Sequence, residues 1–188
     1  MQTTCDISGT SRLITGERLF TKLAVHNITA VQKARALLSI KNPSKEEIVK
    51  LEGLDRWLGK QCFSRFCAAG ECRHATIAYL RYLGNRGDDE SLGKANSMIQ
   101  KLSGYRDGNG KWKGFPFYYT LLVLAEIQTD AAKHELNYAY QASKKALKRI
   151  ESDESYRKIR HDTISNALRM SFGPSSLLTE IMVDRLVI

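Results

Sequence analysis

Three of the four cysteines, with a histidine at the end, fall within thirteen residues: "CFSRFCAAGECRH", Cys62 to His74. Thiolates and imidazole are the ligand types of zinc and iron–sulfur sites. The pattern C-x4-C-x4-C-x-H lies at the edge of the C-x2–4-C spacing of structural zinc sites. Within one helix, residues five apart stand about 140° out of phase, so Cys62 and Cys67 would not share a face. Gly70 can end that helix and turn the chain back, bringing Cys67 near Cys72 and His74. Two expectations follow. One is zinc or an iron–sulfur cluster held by Cys62, Cys67, Cys72 and His74. The other is a site without metal: three small thiols packed where two helices meet, a common place for buried cysteine, or two of them joined as a disulfide. The spacing favours packing and no cofactor. Cys5, near the start of the chain, adds little to either.

A second group of reactive residues repeats. Arg73-His74 recurs as Arg160-His161. His74 or His161 could serve as a general base, and the two arginines could hold an anion. The Gly-rich stretch "GNGKWKGFPFYY" offers Trp112 and Tyr118 as an aromatic wall or as packing. It lacks the strand context of a dinucleotide fingerprint and the GK[ST] of a phosphate loop. His26 and His134 show no partners in sequence. No nucleophile elbow is present.

The elements that must position these residues are helices. Asn27 can cap "ITAVQKARALLSI". Ser44 and Glu47 form an S-x-x-E capping box, followed by Ile48, Leu51, Asp55 and Leu58 at helical spacing. "KQCFSRFCAA" reads as a short helix ending at Gly70, and the next helix runs from Glu71 to Leu83. Asp88 or Asp89 caps a helix that Gly104 ends. Pro116 suits the first turn of another. Thr129-Asp130 caps a long helix to about Ile150, and Asp153 starts one that Gly173-Pro174 halts. "SSLLTEIMVDRLVI" completes the chain as an amphipathic helix. No segment alternates with period two.

Three of these helix starts are alike: "RHATIAYL", "FYYTLLVL" and "RHDTISNAL". Their threonines, Thr76, Thr120 and Thr163, lie 44 and 43 residues apart. Thr29 marks a more divergent first unit. The expected fold is all-α, with three to four stacked helical hairpins of period about 44 residues forming an arc, since stacked hairpins share one core. The expected organisation is one domain: an N-terminal arm over 1–26, the repeats over 27–172 and the terminal helix over 174–188. Equivalent positions then line one rim near helix N-termini, whose unpaired N–H groups welcome a carboxylate or other anion. Arg73, His74, Trp112, Tyr118, Arg160 and His161 are the candidate ligand residues.

The stretch Met98 to Ile127, "MIQKLSGYRDGNGKWKGFPFYYTLLVLAEI", resembles repeats of the α/α-toroid superfamily, the fold of terpenoid cyclases and protein prenyltransferase β-subunits. Those repeats place a Q-x-x-x-G-x-W-like turn before an inner helix. Here Gly110-Lys111-Trp112 matches, and Arg106 stands where the glutamine should be. The resemblance implies the fold and not the activity. The D-x-D-D acid motif of the cyclases is absent, the zinc set of the prenyltransferases cannot be placed, and the chain has room for four hairpins of the six a full toroid needs.

Composition sets the remaining limits. Hydrophobic content of 43% and charged content of 26% are those of a globular protein. The net charge of +9 is spread: +4 over 1–60, +4 over 61–115, +2 over 116–150 and −1 over 151–188. The densest basic stretch, Lys144 to Arg160, reads first as a solvated helix face and second as a nucleic-acid surface. No apolar run approaches the roughly 20 residues of a membrane span, and the start lacks a secretory pattern, so a cytoplasmic location is expected. The sequence thus points to a binding or interaction module for a small anionic ligand or peptide, with homodimerisation through the C-terminal helix. A histidine enzyme with a toroid-like cavity and a nucleic-acid binder are the alternatives.

Overall fold

A computed structural model describes residues 11–150 and 156–171. The helices are α1 (Lys22–Leu38), α2 (Lys45–Lys60), α3 (Cys72–Arg86), α4 (Asp89–Ser103), α5 (Phe117–Ile127), α6 (Asp130–Leu147) and α7 (Arg157–Ser171). A single 3-10 turn, Cys62–Arg65, follows α2. No strand occurs among the described residues. Two isolated antiparallel bridges pin turns, Arg12 with Arg18 in the arm before α1 and Arg106 with Trp112 in the connection from α4 to α5.

The helices form two layers. α1, α3, α5 and α7 pack side by side in that order, and α2, α4 and α6 pack on them as the second helix of each hairpin. The protein is therefore all-α and built of stacked helical hairpins. α5 lies between α3 and α7 with α6 against it, and seven of its eleven residues are buried. Thr76, Thr120 and Thr163 are all buried on α3, α5 and α7, as equivalent positions in a repeat require. Thr29 is exposed on α1, so the first unit departs from the pattern at that position.

Local capping is as the sequence dictates where its donors and acceptors are local. Ser44 and Glu47 form both halves of the capping box. Asp88 caps α4 and Thr129 caps α6, each accepting an amide N–H from three residues on. Gly104 ends α4.

Several boundaries differ: α6 ends at Leu147 rather than near Ile150, and the start of α1 and the end of α3 are shifted. α1 starts at Lys22 with Thr21 as its N-cap, and Asn27 is buried inside the helix. The amides of Phe20 and Thr21 donate to the Glu71 carboxylate, each at 2.7 Å, which fixes the entry to α1 from fifty residues away. α3 runs past Gly84 to Arg86, and Gly87 in the left-handed region ends it. Gly84 stays helical where α3 and α5 approach closely: a Cβ there would lie 2.6 Å from Ile127 Cγ1. The expected helix starts at Asp153 and over 174–188 lie outside the described residues.

Candidate metal centre and helix rim

The expected helix through "KQCFSRFCAA" stops after one 3-10 turn. Phe66 adopts φ +72°, a conformation costing about 1–2 kcal/mol for a residue with a Cβ. The chain leaves the helix there, so the argument that Cys62 and Cys67 diverge no longer applies. Gly70 takes φ +46° and returns the chain into α3. Two side chains of α3 hold this loop. Arg73 Nε–H donates to the carbonyl of Ala68. Thr76 Oγ1 donates to the carbonyl of Cys67 at 2.7 Å. A Cβ on Gly114 would fall within the Arg73 guanidinium, so that position, at φ +76°, leaves room for the arginine.

The outcome is a cluster. The sulfurs of Cys62, Cys67 and Cys72 all lie within 4.8 Å of one another, and those of Cys62 and Cys72 are 3.5 Å apart. Two thiolates on a tetrahedral zinc, at Zn–S about 2.3 Å, lie about 3.8 Å apart. The observed spacing brackets that figure. All three are free cysteines; Cys62 is exposed and the others are half-buried. The backbone N–H of Ala69 favours the Cys67 thiolate and holds that thiol below its ordinary value, helped by Cys62 and Cys72 against partial burial. Burial, and then the two neighbouring thiols, push Cys72 up to about 12. The group can carry one negative charge readily and more only beside a cation.

His74 does not join the three sulfurs; the cluster contains cysteines alone. Its Nδ1 is buried with no hydrogen-bond partner among the described residues. Burial lowers its basicity, opposed by the charges of Glu71 and Glu17. His161 is exposed and lies 3.5 Å from Asp162.

The remaining rim residues are engaged with the protein itself. Arg160 donates from Nε to the carbonyl of Thr15 at 2.8 Å and lies over the ring of Tyr118. Arg73 and Arg160, at equivalent repeat positions, thus each grip a main-chain carbonyl. Trp112 is buried and donates its indole N–H to Glu135 at 2.6 Å. Glu135, itself buried, also pairs with Arg106 at 2.7 Å. Arg106 and Trp112 therefore meet on one carboxylate of α6. At the start of α5, the Glu17 carboxylate accepts the Tyr119 N–H at 3.0 Å. A carboxylate does sit at an inner-helix N-terminus, and it is the chain's own.

Sequence reasoning missed a further row on the inner helices. Arg81 makes a two-point ion pair with Glu126, at 2.6 and 2.5 Å. Arg35 of α1 binds Asn85 and Gln32 nearby. Glu126 also lines a half-open groove of about 250 Å³ between α5 and α7, together with Arg169. Arg35, Arg81, Glu126 and Arg169 are 46, 45 and 43 residues apart, so the repeat period was the available signal. No family model, no curated protein and no solved structure matches the chain.

Proposed function

We propose that the chain is a binding module of helical hairpins whose first inter-hairpin connection is clamped by a zinc ion on Cys62, Cys67 and Cys72. The observation that carries this is the convergence of three sulfurs within 4.8 Å from three separate pieces of chain: the 3-10 turn after α2, the following loop and the first residue of α3. Packing alone does not account for a loop that adopts a left-handed phenylalanine and is tied to α3 by two side-chain bonds. Zinc suits the site because the three thiolates at this spacing reach one ion and a water can complete its tetrahedron beside the exposed Cys62, whereas an iron–sulfur cluster takes four protein ligands. The ion would supply the positive charge that the crowded thiols need to deprotonate, and it would couple folding of the loop to metal binding. A clamp there also sets Arg73 and the start of α3, from which the rest of the inner layer is built.

Metal analysis of protein purified without chelator tests it. About one equivalent of zinc is expected, falling below about 0.2 in Cys67→Ser, with the helical signal retained. Below about 0.2 equivalents of zinc in the parent protein, with thiols reduced, would leave packing as the role of the cysteines.

A further inference from the structure

We infer that the row Arg35, Arg81, Glu126 and Arg169 on α1, α3, α5 and α7 is a binding surface for an acidic, extended peptide segment. These residues follow Thr29, Thr76, Thr120 and Thr163 by six, five, six and six residues, near one level of four helices that pack side by side. Their neighbours confirm the register. Arg35 and Arg81 feel each other's charge, Arg81 pairs with Glu126, and Glu126 and Arg169 line the same groove. Three guanidinium groups thus face one carboxylate, and that carboxylate already uses both oxygens on Arg81.

Arg35 and Arg169 are the two left over. Each contacts only neutral amide side chains: Arg35 those of Asn85 and Gln32, Arg169 that of Asn166. Neither pairs with a carboxylate among the described residues. Arg35 is half-buried, and burial followed by the like charge of Arg81 lowers its pKa. An arriving anion relieves both penalties.

The spacing selects the ligand's shape. Adjacent helices pack at about 8–10 Å, so α1 to α7 spans about 24–30 Å. An extended peptide covers that with eight or nine residues at about 3.3 Å each. The groove between α5 and α7 adds Leu122, Ala125 and Met170, which fit an apolar side chain between acidic ones. A polynucleotide fits worse. Its phosphates repeat without a gap, and one would fall against Glu126, where a peptide can present a neutral residue. The site lies away from the thiols and does not rest on the zinc reading.

Fluorescence anisotropy with a labelled peptide of about nine residues, Glu-Gly-Gly-Glu-Gly-Gly-Gly-Leu-Glu, which leaves a neutral residue opposite Glu126, tests the surface. Saturable binding is expected. Arg35→Gln with Arg169→Gln should weaken it about tenfold, with unchanged circular dichroism, because two charge-assisted contacts are lost. Glu126→Gln should tighten it, since the one repulsive charge is removed. The same peptide with lysine in place of each glutamate should not bind. No binding of the acidic peptide, equal affinity across parent and both variants, or tighter binding of a single-stranded oligonucleotide of similar length would each overturn the assignment.

Discussion

Cys62 and Cys72 have sulfurs 3.5 Å apart, while a disulfide needs about 2.05 Å. A small side-chain movement closes that gap, and a bound metal prevents it. Two predictions follow at this scale. After removal of metal by a chelator, a mild two-electron oxidant such as diamide should give a Cys62–Cys72 disulfide, read by peptide mass spectrometry; in metal-loaded protein the same treatment should leave both thiols alkylatable. A dominant bond from Cys67 to either partner would contradict the geometry. Metal affinity should also rise with pH. Cys72, pushed up to about 12 before metal binds, must lose its proton to ligate, so protons compete with the ion and are released on binding. Zinc competition titrations at pH 6 and 8 should show tighter binding at the higher pH; equal affinity at the two would contradict ligation by Cys72. The residue types were legible in the sequence, since a thirteen-residue stretch with three thiols stands out. Their convergence was not. It depends on Phe66 leaving the helix at φ +72°, and nothing local in "SRFCAAG" demands that of a phenylalanine.

Elements met their expected boundaries where a cap lies within three residues of its donor, as at Ser44, Asp88 and Thr129. The start of α1 was missed although its cap is local too, Thr21 accepting the Ala24 N–H. What the sequence does not announce is the remote part: the Glu71 carboxylate, just ahead of α3, that takes the Phe20 and Thr21 amides. Gly84 shows how element packing overrides propensity. Alanine in a helix interior gains about 1 kcal/mol over glycine. Here the new Cβ would lie 2.6 Å from Ile127 Cγ1, and overpacking of that kind costs about 1–3 kcal/mol. Gly84→Ala should therefore destabilise in chemical denaturation despite its better propensity. Ile127→Ala should destabilise by leaving a cavity. The double variant should be more stable than the sum of the two predicts, because the clash vanishes with the isoleucine. Additive losses would mean that α3 and α5 adjust their spacing freely.

Across the whole molecule, the arm before α1 crosses the inner-helix N-termini. The Thr15 carbonyl takes the Arg160 guanidinium of α7, Glu17 takes the Tyr119 amide in the first turn of α5, and Phe20 and Thr21 donate to Glu71 ahead of α3. The repeat explains why such a strap works. Equivalent helices present equivalent donors at equal height, so one extended segment can engage several in turn. The hairpin stack was legible from the 44-residue period, since buried Thr76, Thr120 and Thr163 recur with it. The strap was not, because contacts 50 to 145 residues apart leave no periodic trace. Its hold on α3 depends on pH. Against partial burial, which acts to raise it, the Thr21 and Phe20 donors hold the Glu71 carboxyl below its ordinary value. A carboxyl depressed in the folded state stabilises above its unfolded pKa, and that contribution is lost as pH falls through the folded value. The Phe20 and Thr21 amides should therefore exchange with solvent faster, relative to the intrinsic rate, as pH drops below about 4.3, while amides in the centre of α5 stay protected. Glu71→Gln should show fast exchange at these two amides at neutral pH and little further change on acidification. Protection of Phe20 and Thr21 that persists in Glu71→Gln would show the strap to be held by Glu17 and Arg160 alone, and the coupling of α1 to α3 would then lie in the helix packing.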